Sequence, residues 1–181
     1  MLIRAAQSVL IVIDIQERLV PAMQAPARTV RNTRLLLEAA AECGVPALLS
    51  EQYPKGLGHT VPEIAAVAGA ARVIPKTHFS CMEEPAFRDA FKALGRRQAV
   101  LVGMEAHVCV VQTAASLLEE DYDVFVVSDA TASRTLESEQ ACLTRMTASG
   151  AFVVTTEMVV FEWLGRAGTP AFAALLPLLK G

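Results

Sequence analysis

Short runs of apolar, mostly β-branched residues alternate with longer segments of helical spacing along nearly the whole chain. The run Ser8–Ile13 is continuously apolar after its first residue, which is typical of a strand covered on both faces. A helix is predicted over 27–43, because apolar residues recur there at helical intervals and Gly44 and Pro46 follow. This alternation predicts an α/β fold, doubly wound and Rossmann-like, with a central parallel sheet of about six strands and helices on both faces.

The other elements follow from the same two patterns. Further strands are predicted at 45–49, 72–75, 98–102, 124–127 and 152–155. Further helices are predicted at 84–94, 108–119, 137–149, 158–164 and 170–179, with at most a short one at 61–68 and a loop over 53–60.

Length and composition limit the class of protein. The chain has 181 residues, 53% of them apolar and 19% charged, with a formal charge of −3 and no linker or repeat. These values predict a single domain over 1–181, exclude a disordered chain and argue against binding nucleic acid through phosphate neutralisation. So few charged residues also predict apolar surface left over after folding, and hence a homo-oligomer, a dimer or larger.

Neither a membrane span nor a signal peptide is predicted. A spanning helix needs about 20 consecutive apolar residues, and Pro177 interrupts the richest stretch, 170–179. The apolar run after Arg4 is too short for a signal peptide and ends at Asp14. We therefore expect a cytoplasmic protein that acts on a small molecule and does not bind a membrane.

The four cysteines are predicted to be reduced thiols, because they form no C-x-x-C pair and no disulfide framework. Cys43 and Cys142 lie in helical patterns and are predicted to be structural. Cys81, together with Phe79, is predicted to pack in the core. Cys109 is different, because a predicted strand and a short connection lead directly to it.

Polar residues follow several predicted strands at the point where each strand ends. Asp14 follows the first strand, Lys76 follows RVIP and Cys109 follows AVLVG, while a second acid, Asp129, follows VFVVS. One such residue alone is more often a turn or cap residue. Together they indicate a site, because ligands of open parallel sheets bind outside the carboxyl ends of the strands.

The first three of these residues make a coherent catalytic set. Cys109 falls in the first turn of the helix predicted to begin near His107, where backbone N–H groups favour an anion. With Lys76 as the cation and Asp14 as the base, we expect the pKa of Cys109 to be depressed and this thiol to be the most reactive of the four. The set suits hydrolysis of an amide-like C–N bond through an acyl-enzyme.

Four motifs of the chain resemble those of the isochorismatase-like cysteine hydrolases, a superfamily that includes nicotinamidases, carbamoylsarcosine amidases and isochorismatases. The motifs are LIVIDIQ at 10–16, VIPKT at 73–77, GMEAHVCV at 103–110 followed by Thr113 and Ala114, and YDVFVVSDA at 122–130. The resemblance covers nearly the whole chain. EQYPKGLG at 51–58 and TTEMVVFEWLG at 155–165 bring it closest to the small isochorismatase domain-containing proteins.

The resemblance implies roles for particular residues. It implies an Asp14–Lys76–Cys109 triad that works through a covalent thioester. It also implies a non-proline cis peptide bond between Met104 and Glu105, and an oxyanion hole made by the backbone N–H groups of Glu105 and Cys109.

One departure from the superfamily bears on metal binding. Metal-containing nicotinamidases carry an Asp-x-His pair after the second strand, where this chain reads Glu51-Gln52-Tyr53. The chain's histidines, His59, His78 and His107, show no metal-ligand spacing. We therefore predict no catalytic metal and no other cofactor.

Four further residues are candidates for the substrate pocket. Tyr53 and Leu57 lie in a Gly-containing loop, His78 follows Lys76, and His107 precedes Cys109 by two residues. Each also has a purely structural interpretation, as a surface-loop residue or as a side chain bonded to local backbone. Two other functions stay open at this point: a vinyl-ether hydrolase that uses Asp14, and a non-catalytic oligomeric binding protein on the same fold.

Overall fold

The computed structural model describes residues 1–180, and in that range six strands form one parallel sheet in the order β3-β2-β1-β4-β5-β6. This confirms the predicted doubly wound α/β fold. The strands are β1 (Ser8–Ile13), β2 (Ala47–Gln52), β3 (Arg72–Lys76), β4 (Gln98–Met104), β5 (Asp123–Ala132) and β6 (Phe152–Val154).

The helices connect these strands and cover both faces of the sheet. They are α1 (Pro26–Glu42), α2 (Pro54–Leu57), α3 (Pro62–Ala65), α4 (Pro85–Ala93), α5 (Val111–Glu119), α6 (Leu136–Ala148), α7 (Thr156–Leu164) and α8 (Pro170–Leu179). A five-residue π-helical turn, Ala106–Val110, precedes α5 directly.

Alternate residues of the central strands pack into two separate cores. In β1, Leu10 and Val12 contact the core formed with α1, α7 and α8, whereas Val9, Ile11 and Ile13 contact the core formed with α4, α5 and α6. Every residue of β1 is buried. The strand is therefore covered on both faces, as its continuous apolar run predicts.

Several elements differ from their predicted bounds: β2 lies at Ala47–Gln52 and not at 45–49, the segment predicted as a loop over 53–60 contains the short helix α2, and α5 begins at Val111. Two further differences have identifiable reasons. β5 continues to Ala132 because a register shift opposite Leu101 and Gly103 lets it pair again with the end of β4. α7 begins at Thr156, two residues earlier than predicted, because the Thr155 side chain caps it by accepting a hydrogen bond from the Met158 N–H.

The sheet order places a crevice at the ends of β1 and β4. From β1 the chain moves outward to β2 and β3, and from β4 it moves outward in the other direction to β5 and β6. The connections that leave β1 and β4 therefore diverge, and the gap between them is where open α/β sheets bind their ligands. No helix in residues 1–180 has the length and apolar character needed to span a membrane.

Candidate active site

Asp14 leaves the end of β1 in a left-handed conformation, with φ 51°, and is completely buried. Its Oδ1 accepts a hydrogen bond from Ser50 Oγ at 2.7 Å, and its Oδ2 accepts one from Lys76 Nζ at 2.8 Å. Both carboxylate oxygens thus have partners, which compensates for burial of the charge.

Lys76 is the last residue of β3, and its ammonium group is buried with a full set of acceptors. Besides Asp14, Nζ donates to Gln52 Oε1 and to the carbonyl oxygens of His78 and Phe79, at 3.2 and 3.1 Å. Burial is the largest single influence and opposes the charged form, but the charge and hydrogen bond of Asp14 together with the neighbouring Cys81 and Cys109 outweigh it and raise the pKa of Lys76. Lys76 is therefore a fixed cation.

Cys109 lies in the π-helical turn that follows the Met104–Glu105 peptide bond, which is cis. Its side chain is buried, and its Sγ lies 4.0 Å from Gln52 Oε1. Gln52 also accepts from Lys76, so one amide oxygen links the thiol to the buried ion pair. The structure thereby brings Asp14, Lys76 and Cys109 together at the crevice.

The pKa of Cys109 is raised, not depressed, so our expectation for the pKa of this thiol was wrong, whereas its reactivity stays a prediction. Burial is the largest cause and the negative charge of Asp14 the second, and Lys76 offsets them only in part. The physical reason is the charge balance of the site. Asp14 and Lys76 already neutralise each other, so a thiolate would add an unmatched buried charge. The resting site therefore holds a neutral thiol beside a carboxylate.

Gln52 and Ser50 complete the site and were missed by sequence reasoning. Gln52 lies in the EQYPKGLG motif at 51–58, but the sequence patterns assigned it no role in the site. Ser50 alternates with Gln52 along β2 and orients Asp14, and Cys81 Sγ donates in turn to Ser50 Oγ at 3.5 Å. The sequence signal that could have found Ser50 and Gln52 is their alternate spacing at the end of β2, the strand beside Asp14.

A cavity of about 300 Å³ opens onto the Cys109 thiol. It is lined by Leu19, Ala22, Met23, Gln52, Leu57, Phe79, Glu105, Val108, Cys109 and Arg134. Phe79 is 52% exposed, so its predicted place in the core was wrong, whereas Cys81 is buried. Phe79 follows the buried Lys76 by three residues, and its carbonyl rather than its ring faces the ion pair.

Of the four pocket candidates, only Leu57 lines this cavity. Tyr53 is 55% exposed and lines a neighbouring surface cavity with Lys55 and Thr77. His78 lies 3.4 Å from a carboxylate oxygen of Glu84, and His107 Nδ1 lies 2.9 Å from Ser133 Oγ. These two histidines therefore have local polar partners, in line with their structural interpretation.

Glu105 and Arg134 form an ion pair at the cavity that the motifs did not reveal. Arg134 Nε donates to Glu105 Oε1, and Nη2 donates to Oε2 at 3.3 Å. The Glu105 side chain is 10% exposed and that of Arg134 60%, so the carboxylate is the buried partner. The two residues are 29 positions apart in the chain, and no local pattern connects them.

Glu51 occupies the position where metal-containing nicotinamidases have a ligand, and here it holds a loop. Its Oε1 accepts from the backbone N–H and Oγ1 of Thr60, at 2.7 and 2.8 Å, and Oε2 lies 3.1 Å from His59 Nδ1. Burial opposes its charge, but these hydrogen bonds prevail and lower its pKa. Within residues 1–180 no three His, Cys, Asp or Glu side chains are grouped to hold a metal ion.

Asp129, the second acid that follows a predicted strand, lies apart from the triad. Its Oδ1 accepts from the backbone N–H and from Oγ1 of Thr156, at 2.8 and 2.9 Å, so it fixes the first residue of α7. It lines a different cavity, beside Asn32 and Glu157. Asp129 is therefore a structural capping residue.

Comparison with known proteins places the chain in a family. A model of the isochorismatase domain matches residues 8–158. The chain is 37% identical over 175 residues to isochorismatase domain-containing protein 1 of Salmo salar. The matched region covers 97% of this chain but only 62% of the relative. It is 39% identical over 175 residues to isochorismatase domain-containing protein 2 of Danio rerio, covering 95% and 86% of the two chains.

Solved structures agree with the relatives found by sequence. A structure of MAR1 ribonuclease from Caenorhabditis elegans superposes with a TM-score of 0.94 at 35% identity, covering 100% of this chain and 93% of the other. YcaC from Pseudomonas aeruginosa, with hexane-2,5-diol and covalent acrylamide, has a TM-score of 0.90 at 27% identity, covering 98% and 91%. The Escherichia coli YcaC gene product, an octameric hydrolase of unknown specificity, has a TM-score of 0.90 at 26% identity, covering 98% and 90%.

Proposed function

The chain belongs to the isochorismatase family, and we propose that it is a cysteine hydrolase that cleaves the C–N bond of a small amide through a thioester on Cys109. One observation carries the proposal. A buried carboxylate–ammonium pair, Asp14–Lys76, contacts the thiol of Cys109 through Gln52, and Gln52 and Cys109 both line a ligand-sized cavity. A buried pair of charges beside a thiol is costly to build for stability alone.

The raised pKa of Cys109 determines how the thiol is activated. In this mechanism Asp14 takes the thiol proton as Sγ attacks the amide carbon, so no free thiolate accumulates. The attack forms the C–S bond and places negative charge on the carbonyl oxygen, which the backbone N–H groups of Glu105 and Cys109 stabilise. Asp14 then gives its proton to the departing nitrogen as the C–N bond breaks.

The second half of the reaction uses the same carboxylate. Asp14 removes a proton from a water molecule as the water oxygen attacks the thioester carbon. The proton then passes from Asp14 to Sγ as the C–S bond breaks. Lys76 keeps Asp14 oriented and balances its charge through both halves. Gln52 holds Lys76 from the other side, so we place it among the positioning residues.

The chemistry of a relative supports a reactive thiol. The Pseudomonas aeruginosa protein carries a covalent acrylamide, and acrylamide is an electrophile that cysteine thiolates attack. In this chain Cys109 is the thiol that lines the cavity, whereas Cys81 is fully buried and burial raises its pKa to about 11. Cys109 is therefore the residue that we expect such electrophiles to modify.

Exchanging Asp14 for asparagine tests the proposal, because it should increase the acidity of the Cys109 thiol but lower the rate of amide turnover. Asp14→Asn removes the charge that disfavours the thiolate and leaves Lys76 beside Sγ, so the pKa of Cys109 should fall. Alkylation of Cys109 by iodoacetamide at pH 7–8 should accelerate several-fold, while amide turnover should drop by about 10²–10⁴ because the base is lost. Peptide mass spectrometry from pH 6 to 9.5 measures the first, and product release measures the second.

Asp129→Asn is the matched control, since it removes a carboxylate at the end of another strand without touching the triad. It should leave both rates unchanged. If Asp14→Asn slowed alkylation as well as turnover, Asp14 would act by holding a preformed thiolate, and the proton-transfer role proposed here would be wrong.

We also propose that the chain forms a homo-oligomer. Several large apolar side chains remain exposed, among them Leu136 at 57%, Met158 at 45% and Phe161 at 43%. Such surface commonly marks an interface, and the Escherichia coli relative is an octamer. Light scattering should return a multiple of 19.4 kDa at all practical concentrations, and a stable 19.4 kDa species would contradict this.

Three other expectations stay predictions: that residues 1–181 form a single domain, that the protein is cytoplasmic, and that its substrate is a small molecule and not a nucleic acid. One structural neighbour bears the name ribonuclease. The cavity of this chain, by contrast, has one arginine, which is paired with Glu105. We therefore retain a small amide as the substrate class.

A further inference from the structure

All charges at the Cys109 cavity are matched within the protein. Behind Gln52 and Cys109, Asp14 pairs with Lys76, and both side chains are fully buried. At the wall, Glu105 pairs with Arg134 through two hydrogen bonds. Those two residues carry the only charged side chains in the described lining, so the lining has no net charge.

Gln52, the remaining polar side chain of the lining, already has hydrogen-bond partners within the protein. Gln52 Oε1 accepts from Lys76 Nζ, and Gln52 Nε2 donates to the Thr77 carbonyl at 2.9 Å. Apart from the thiol, the other lining residues are apolar, namely Leu19, Ala22, Met23, Leu57, Phe79 and Val108. A ligand therefore meets apolar side chains everywhere except at Cys109 and at the Glu105–Arg134 pair.

A charged ligand would bind weakly in such a cavity. A carboxylate would meet an Arg134 whose charge Glu105 already neutralises through Nε and Nη2, and displacing Glu105 would leave that nearly buried carboxylate without its partner. A cation that paired with Glu105 would leave Arg134 unpaired, but the Arg134 side chain is 60% exposed and stays hydrated. The pair therefore discriminates mainly against anionic ligands, because an unmatched Glu105 carboxylate would be left in surroundings of low polarity.

The cavity is also small. Its volume of about 300 Å³ corresponds to on the order of ten water molecules. A primary amide with an acyl chain of a few carbons fits this space. We infer that the site selects small neutral amides with an apolar acyl group, and that the Glu105–Arg134 pair excludes substrates that carry a carboxylate at the far end from the amide.

This inference rests on the proposed function for its amide and goes beyond it in stating the charge that the site accepts. It also separates the two hydrolase classes, because isochorismate is a dicarboxylate. A vinyl ether of that kind would place two unmatched charges in the cavity.

Two amides of the same shape and different charge test the inference. In 4-methylpentanamide an isopropyl group replaces the carboxylate of succinamate, and 4-aminobutanamide adds a cationic member. In the wild-type protein kcat/KM for the neutral amide should exceed that for succinamate by about tenfold or more, because Glu105 already neutralises the charge of Arg134. Equal or better use of succinamate would overturn the inference.

Exchange of each member of the ion pair should shift this preference in opposite directions. Glu105→Gln frees Arg134, so the ratio of succinamate to neutral amide should rise by about tenfold or more. Arg134→Gln leaves Glu105 unmatched, so 4-aminobutanamide should gain instead. These are ratios within one variant, so a general loss of activity cancels. If both variants kept the wild-type ratios, the pair would have no part in selectivity.

Binding without turnover distinguishes failure of this inference from failure of the proposed function. Each amide can be tested for protecting Cys109 of the wild-type protein from iodoacetamide. If no amide is hydrolysed but the neutral amide protects better than succinamate, the hydrolase proposal fails and the charge selection holds. If succinamate protects as well as or better than the neutral amide, the charge selection fails whatever the turnover.

Discussion

Replacing Cys109 by alanine is expected to abolish amide hydrolysis, lowering kcat by at least about 10³-fold. The exchange removes the atom that we propose forms the thioester, and it leaves the Asp14–Lys76 pair with its hydrogen bonds from Ser50 and to Gln52. The protein should therefore fold normally and still bind neutral amides. Steady-state assays with 4-methylpentanamide, together with circular dichroism of the variant, measure both effects.

The serine variant should be nearly as inactive, for a reason that the site explains. A hydroxyl holds its proton far more tightly than a thiol, and burial beside the Asp14 carboxylate already opposes an anion at position 109. Cys43→Ala is the matched control, because Cys43 is only half-buried and lies directly after α1, outside the cavity lining. It should retain full activity.

The same pair of variants decides between the two hydrolase classes. A vinyl-ether hydrolase that protonates its substrate from Asp14 does not need the thiol. If Cys109→Ala hydrolysed its substrate as fast as the wild-type protein, the thioester mechanism would be wrong. Protonation of the substrate by Asp14 would then be the better mechanism. If no amide or vinyl ether were turned over by the wild-type protein while ligands still protected Cys109, a binding protein would be the better description.

Replacing Gly103 by alanine is expected to prevent folding, or to lower the free energy of unfolding by about 4 kcal/mol or more, a loss reserved for severe backbone conflict. Gly103 has φ +118°, and a Cβ built there would lie 2.0 Å from the Ile13 carbonyl oxygen. That atom belongs to the backbone of β1, which is paired with β4 in register at this residue. Neither strand can move without disturbing Asp14 or the turn that carries Cys109.

Gly150→Ala separates the clash from the unusual backbone angle. Gly150 has a similar φ of +103°, but the nearest atom to an added Cβ is a Leu118 methyl carbon at 4.0 Å, an ordinary contact. Its cost should be the strain of the backbone alone, of order 1–3 kcal/mol. Urea unfolding of both variants compares the two. Equal costs would show that the approach of β4 to β1 does not explain the need for glycine at position 103.

Local patterns were sufficient to predict the sheet and the edge at which the site lies. Continuous apolar runs identify buried parallel strands, and breaks in helical spacing identify their connections, because both signals depend on residues a few positions apart. The carboxyl ends of parallel strands share one edge. Asp14, Lys76 and Cys109 were therefore predicted to lie at one edge from their positions after β1, β3 and β4, although their catalytic roles still await the experiments above.

Tertiary structure alone decided the charge state of the site and the character of its cavity. Burial and the proximity of Asp14 raise the pKa of Cys109, and both depend on the folded arrangement of distant segments. Phe79 and the Glu105–Arg134 pair reach the cavity through connections whose course no short pattern encodes. A periodic pattern specifies which face of a strand or helix is buried, whereas the polarity of a cavity depends on side chains that only the complete chain brings together.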